Sequence, residues 1–262
     1  MREKKRLLWI SVSLVLTLAL LVGLIAVPGS ASAAGETAVS SALSVRVSAG
    51  TDDAEEEGPD GNNLGHGGMY LDSTDLELTE DMDPAESGTQ KIGMRFNGIS
   101  VPSGANITAA YITFRAVSAD SPNTNYGPTN LSIQGQAADN PGTFTSTRWN
   151  ISNRLLTVAT VNWLPSAWSA GTDYSTPDLS AVVQEIVNRG GWASGNSMVF
   201  VVTGSGSRSA YSHNGSSTNA PLLLIEYHVM FSGTNRAEQV DSAFCGILPR
   251  TYLWGGTHEH LS

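Results

Sequence analysis

The chain has 262 residues, a formal net charge of −10 at pH 7 and 15% charged residues, against roughly 25% in an average soluble domain. The acidic balance excludes sequence-independent nucleic-acid binding, which needs a basic face. The single cysteine, Cys245, excludes a disulfide scaffold, a Cys-based zinc site and an iron–sulfur cluster.

Residues 1–33 have the pattern of a secretory signal peptide. Four basic residues within 2–6 precede an uncharged apolar run over 7–27, and a Pro-Gly pair and the small-residue motif Ala31-Ser32-Ala33 follow. The run is long enough to cross a bilayer, so an uncleaved anchor is the alternative. Cleavage predicts a secreted or cell-surface protein with no membrane span. It also changes the net charge to −13, because the leader carries four basic residues and one acid.

Short runs of β-type residues dominate the chain from residue 43 to residue 229, after a small polar linker over 34–42. Turns rich in Gly, Pro and Asn separate these runs. Many short strands with this punctuation predict one all-β domain, an antiparallel sandwich. The predicted strands are 43–48, 76–78, 91–99, 109–117, 131–137, 158–163, 198–203 and 222–229.

One segment, 176–189, has helical rather than strand periodicity. Thr176 suits the N-cap, Pro177 suits the first helical position, and Gly190 suits a left-handed C-cap. The apolar residues between them recur at helical spacing, which predicts one short α-helix packed against an edge or end of the sandwich. Residues 230–262 form a poorly patterned C-terminal tail.

Three blocks of the sequence resemble a known family. The first runs from Ile92-Gly-Met-Arg-Phe-Asn97 to Phe114, the second joins Val161-Asn-Trp163 to the predicted helix and to 195–200, and the third runs from Ala210-Tyr-Ser-His-Asn214 to Tyr227. Together they resemble the DNRLRE-type domains, also grouped as carbohydrate-binding module family 96 and related to the repeats of archaeal disaggregatase. The resemblance implies a jelly-roll β-sandwich in a secreted or surface protein, often joined to polysaccharide-degrading enzymes. Asn97 stands where the family usually has Asp.

An acidic segment suggests a cation site. Thirteen carboxylates and no Lys or Arg lie within residues 52–86. Such density is costly in a folded domain unless cations offset it, and Ca²⁺ binds about six to eight oxygen ligands. The alternative is a solvated acidic loop. The predicted Ca²⁺ ligands are Asp52, Asp53, Glu55 and Glu56, just after the first strand, and Asp75 and Glu77, on one face of the next strand.

Aromatic residues in or near loops are candidates for stacking on sugar rings. Trp168 and Tyr174 flank a predicted exposed loop over 169–173 and are therefore predicted ligand contacts. Trp163 and Trp192 lie within the scaffold blocks and are interpreted as core residues. Trp149 is a further tryptophan of the loop regions.

Arg208, Tyr211 and His213 form the most enzyme-like group of the sequence. Tyr and His side chains can exchange protons and Arg can hold a carboxylate, as a polysaccharide lyase requires. Strand alternation places Tyr211 and His213 on one face. These three residues are predicted to contact a ligand, the alternatives are catalytic and purely structural roles, and no catalytic residue is assigned.

Three functions fit the sequence. The first is a non-catalytic, Ca²⁺-stabilised carbohydrate-binding module whose partner is a polysaccharide or surface glycan. The second is a structural or adhesive surface protein that associates with copies of itself. The third is an enzyme, such as a polysaccharide lyase or a glycosidase.

Overall fold

The computed structural model describes residues 37–61, 63–82, 87–117 and 125–231, which all belong to one compact unit of the chain. The predicted signal peptide and residues 232–262 of the predicted tail lie outside these ranges. Within them, no helix has both the length and the apolar character that a membrane crossing requires.

The prediction of an antiparallel, all-β chain with one helix is confirmed for the described residues. Two antiparallel sheets enclose the main hydrophobic core. The strands are β1 Thr37–Arg46, β2 Asp53–Glu57, β3 Met69–Tyr70, β4 Asp75–Glu77, β5 Glu80–Asp81, β6 Gly88–Phe96, β7 Asn106–Arg115, β8 Asn125–Gln136, β9 Leu156–Trp163, β10 Asp173–Ser175, β11 Met198–Tyr211 and β12 Leu222–Phe231, and the helix, α1, is Ser180–Val187.

The smaller sheet has the strand order β1-β12-β7-β10, and the larger has the order β3-β2-β6-β11-β8-β9, with β4 on β11 and β5 on β6. β1 begins within the predicted linker, because residues from Thr37 onward pair with β12 from Phe231 back to Leu222. Small polar residues such as Ser40 and Ser41 gave no strand signal of their own, so the pairing with β12 defines this strand.

Helix α1 is shorter than the predicted 176–189. Thr176 does not cap it, since the Thr176 hydroxyl accepts a hydrogen bond from the Ile112 amide of β7 at 3.1 Å. Asp178 lies at the start of the helix instead, where its carboxylate accepts from Ser180 N (2.9 Å) and from Ala110 N (3.0 Å). The buried face of α1 packs on β7, β8 and β9, and the helix closes one side of the core.

A long loop, 137–155, folds over the outer face of the larger sheet. Phe144 and Ile151 of this loop pack with Val199 and Val201 of β11 in a second, smaller hydrophobic cluster. Gly93 of β6 makes the contact possible, because a Cβ atom there would lie 2.4 Å from Phe144 Cζ. Strand β2, which lies between β3 and β6, therefore has two different environments, the interior of the sandwich on one face and this loop on the other.

Candidate functional site

Strand β2 contains three of the predicted Ca²⁺ ligands, Asp53, Glu55 and Glu56. The sequence predicts no strand at 53–57, and the alternative of a solvated acidic loop does not fit these residues, since all five are buried in a strand between β3 and β6. Alternation along the strand places Asp53, Glu55 and Glu57 on one face and Ala54 and Glu56 on the other. The acidic composition hid this strand, because Asp and Glu are unfavourable in strands unless tertiary partners compensate.

The outer face of β2 uses its carboxylates to hold loop 137–155. Asp52, next to β2, forms an ion pair with Arg95 at 2.8 Å and accepts from the Thr143 hydroxyl at 2.9 Å. Glu56 accepts from the backbone amides of Ile151 (2.7 Å) and Ser152 (2.9 Å). These bonds give Asp52 and Glu56 a structural role on the outer face of β2. The predicted ligands on the inner face are therefore separate from these two.

The inner face of β2 brings Glu55 against Glu77 of β4. Glu55 Oε1 accepts from the Glu77 amide at 3.0 Å. The Gln90 amide nitrogen donates to Glu55 Oε1 (3.2 Å), to Glu77 Oε2 (3.1 Å) and to the Glu77 carbonyl (3.1 Å). Three oxygens thus converge on a single NH₂ group, which has only two hydrogens to donate.

Burial raises the pKa of Glu55 well above its ordinary value, and the neighbouring charge of Glu77 adds to the effect. A side-chain hydrogen bond to Glu77 and the charge of Asp75 act in the same direction. Two buried carboxyl groups in contact cannot both ionise without compensation. The pair therefore requires either a shared proton or a cation.

Ser209 adds an unpartnered oxygen beside Glu77. Leu78 and Arg208 exchange both of their backbone hydrogen bonds, at 3.0 and 3.2 Å. Glu77 and Ser209 are the next pair in register. They therefore form a non-hydrogen-bonded cross-strand pair, the type in which the two side chains lie closer together. Ser209 is 0% exposed, and its hydroxyl has no hydrogen-bond partner among the residues that the structure describes. A buried, unpartnered hydroxyl in a native fold calls for an unseen water or ion.

Asp53, a predicted Ca²⁺ ligand, contacts His213, one of the residues predicted to contact a saccharide. Its carboxylate accepts from the His213 amide at 2.7 Å. Burial raises the pKa of Asp53 to about 6, against lowering effects of the hydrogen bond and the charge of His213. We call Asp53, Glu55, Asp75 and Glu77, with Gln90 and Ser209, the inner acidic cluster.

No Lys or Arg neutralises the β2 members of this region. In the described part of the chain, the ion pairs are Arg95–Asp52, Arg115–Asp173 and Arg189–Asp139, and none involves Asp53, Glu55 or Glu57. The same residues contain no group of three Asp, Glu, His or Cys side chains arranged to hold a metal ion. A cation at the inner acidic cluster would therefore be held by two carboxylates together with neutral oxygens.

The expectation that Trp168 is exposed is wrong. Trp168 is 3% exposed and stacks on Tyr174, with ring centroids 4.9 Å apart and planes 5° apart. Phe114 and Trp163 complete this aromatic cluster. Residues 169–173 are exposed as predicted, but Tyr174 is held in β10, which pairs with β7 and is not among the predicted strands. Trp163 and Trp192 are buried as predicted.

Arg208 is buried and bound to backbone oxygens. Its guanidinium donates to the carbonyls of Ser166 (2.9 Å), Ser207 (2.7 Å), Pro165 (3.2 Å) and Gly127 (3.3 Å). Burial lowers the pKa of this guanidinium. Arg208 thus fixes the segment after β9 to the start of β8.

Tyr211 and His213 are half-buried and lie beside the inner acidic cluster. Tyr211 is the register partner of Asp75, and the Nδ1 atom of His213 is buried and has no hydrogen-bond partner among the described residues. Arg208 therefore has a structural role, bound to backbone carbonyls, whereas Tyr211 and His213 lie next to the predicted cation ligands.

Gln90 and Ser209 are the members of the cluster that sequence reasoning missed. Gln90 alternates with Ile92, Met94 and Phe96 on the core face of β6. An amide at a core position of an otherwise apolar strand face is a usable signal of a buried polar partner. Ser209 offered no such signal, because its environment depends on the pairing of β4 with β11.

No protein-family model matches the sequence, and no curated protein is similar to it at a significant level. The resemblance to the DNRLRE-type domains stays a prediction.

Proposed function

We propose that this protein is an exported, non-catalytic carbohydrate-binding module whose β-sandwich is stabilised by Ca²⁺ at the inner acidic cluster. The observation that carries the proposal is the contact between the buried carboxyl groups of Glu55 and Glu77, next to the unpartnered hydroxyl of Ser209. Carboxylate, hydroxyl and carbonyl oxygens are the ligands that Ca²⁺ prefers. The residues that would hold the ion are Glu55, Glu77 and Ser209, with Asp75 adjacent.

Gln90 supports this assignment. Its amide group is positioned where three oxygens of Glu55 and Glu77 meet. Rotation of the amide by half a turn would present its oxygen instead of its nitrogen, so the same side chain can serve the proton-bound and the ion-bound forms of the pair.

The carbohydrate part of the proposal is supported by the family resemblance over 92–114, 161–200 and 210–227 and by the signal-peptide pattern of residues 1–33. The two antiparallel sheets are compatible with the jelly-roll connectivity that the resemblance implies. A lyase based on Arg208 is disfavoured, because that guanidinium is already bound to four carbonyls.

Affinity gel electrophoresis of the secreted form, with neutral and acidic polysaccharides in the gel, tests the proposed function. We expect at least one polymer to retard the protein, and we expect a chelator to weaken that retardation by destabilising the fold. Unchanged mobility in every polymer would overturn carbohydrate binding. Retardation together with product release would favour the enzyme.

A specific observation favours self-association as a second candidate function. Leu155, Val158 and Leu164, in or next to the edge strand β9, are 78%, 91% and 74% exposed. Large exposed apolar side chains along an edge strand are typical of an interaction surface. Sedimentation velocity over a range of protein concentrations tests it. Concentration-dependent dimers that disappear in Val158→Lys would support an adhesive role, and a monomer at all concentrations would exclude it.

A further inference from the structure

Trp149 differs from the other tryptophans that the structure describes. Trp163, Trp168 and Trp192 are buried, whereas Trp149 is half-buried and reaches the surface on loop 137–155. Because a sugar ring needs an accessible aromatic face, the structure leaves Trp149 as the tryptophan available for stacking among the described residues.

The backbone of Trp149 has a conformation that a bulky residue rarely adopts. Its φ is 61°, in the left-handed region that is unfavourable for large side chains and that tends to occur where the surrounding structure enforces it. Here the Trp149 amide donates to the Gly67 carbonyl at 2.9 Å, and the Trp149 carbonyl accepts from Asn153 N at 2.9 Å.

Gly67 makes room for the indole ring. A Cβ atom at Gly67 would lie 2.3 Å from Cδ2 and 2.4 Å from Cε2 of Trp149, so the ring lies directly against the Gly67 backbone. Gly67 also has a φ of 76°, which favours glycine. The position of the ring is therefore set by the segment 63–68 as well as by its own loop.

Arg148 locks these two loops together. Its guanidinium donates to the carbonyls of Leu64 (2.7 Å), Gly65 (2.6 Å) and His66 (2.9 Å). The loop that carries the ring is thus fixed to its neighbour before any ligand arrives, and a preorganised side chain loses little conformational entropy on binding.

We propose that Trp149 is the stacking platform for a pyranose ring of an uncharged polysaccharide, an inference that rests on the proposed function. Asn63, His66 and Arg148 are exposed in the two loops that hold the ring and offer hydrogen-bonding groups for sugar hydroxyls. Leu64 is the one large apolar side chain exposed within 63–68, so the residues that flank the ring in this loop are mostly polar or glycine. The ligand is neutral because the chain carries 24 acidic residues against 14 basic ones, which disfavours a polyanion.

The test compares the secreted protein with Trp149→Ala, Trp149→Phe and the control Met230→Ala, an exposed apolar residue of β12 outside both loops, in gels containing neutral or acidic polymers. We expect a neutral polymer to retard the parent protein and Met230→Ala equally, and Trp149→Ala to bind about 10-fold or more weakly. Trp149→Phe keeps a ring and is expected to retain most of the binding. Thermal unfolding of each variant shows whether it is folded.

Tryptophan fluorescence gives a second readout that does not depend on the alanine variant folding. Addition of the retained polymer should change the emission of the parent protein and leave that of Trp149→Phe unchanged. Equal retardation of the parent and Trp149→Ala, or an emission change that persists in Trp149→Phe, overturns the platform and leaves carbohydrate binding in place. Retardation by acidic polymers alone overturns the neutral ligand. A parent protein that no polymer retards removes the proposed function and the platform with it.

Discussion

Glu55 and Glu56 are adjacent residues of β2 whose carboxylates are buried on opposite faces of the strand and satisfied in different ways. Glu56 accepts three hydrogen bonds from Ile151 and Ser152 of loop 137–155. Glu55 faces a second carboxyl group, that of Glu77, and shares the Gln90 amide with it. Of the two residues, therefore, only Glu55 faces a buried carboxyl group whose repulsion a cation could offset.

Trp168→Ala is expected to destabilise the fold without affecting saccharide binding. Truncating a buried aromatic side chain typically costs about 3–5 kcal/mol, and Trp168 contacts Phe114, Trp163 and Tyr174. Urea unfolding measures the loss. The control is Leu164→Ala, where the side chain is 74% exposed and the expected change is within about 0.5 kcal/mol. A Trp168→Ala variant as stable as the parent would contradict the buried position.

Gly93→Ala is expected to displace loop 137–155 from the larger sheet. The new methyl group would lie 2.4 Å from Phe144 Cζ, and overpacking of this kind costs about 1–3 kcal/mol. Limited proteolysis should show faster cleavage within the loop. Gly142→Ala is the matched control in the same loop, because a Cβ there meets nothing within 4 Å. Equal cleavage rates in the two variants would contradict the packing.

Asp53 is expected to make the fold less stable as the pH rises. Its pKa is about 6 in the folded protein against an ordinary 3.8, so the folded state binds the proton more tightly than the unfolded state. The resulting stabilisation is full below pH 4 and is lost as the pH rises through 6, with a total of about 3 kcal/mol.

Asp53→Asn isolates this contribution, since the amide oxygen can still accept from His213 N. Chemical unfolding in a chelator at several pH values, for the parent and the variant, gives the difference between the two curves. Carboxylates with lowered pKa, such as Asp60 and Asp178, act in the opposite direction but are common to both proteins. We expect the stability of the parent relative to the variant to fall between pH 4 and pH 7, and a constant difference would contradict the assignment.

The sequence was sufficient for the parts of the fold that alternation controls. The core faces of β6 and β7 follow from apolar residues at alternate positions, β11 and β12 follow from short apolar runs between turns, and α1 follows from helical spacing. Strand β2 could not be predicted in this way, because five consecutive residues, four of them acidic, carry no apolar alternation and are held by distant partners.

The sequence also could not predict that the proposed Ca²⁺ ligands lie on two different faces of β2. Asp52 and Glu56 are separated from Glu55 by the position of loop 137–155, which comes from about 90 residues further along the chain. Trp168 is buried because Tyr174 is held in β10 against β7. Both outcomes depend on long-range packing rather than on local composition.

The most direct test of the account is the effect of Ca²⁺ on the melting temperature of Glu55→Gln and Glu56→Gln. These substitutions change neighbouring, buried carboxylates of one strand, so Glu56→Gln controls for the loss of a negative charge in β2. We expect Ca²⁺ to raise the melting temperature of the parent and of Glu56→Gln relative to chelator, and we expect Glu55→Gln to show no such shift. A parent protein without a Ca²⁺ shift, or a shift lost in Glu56→Gln and kept in Glu55→Gln, would contradict it.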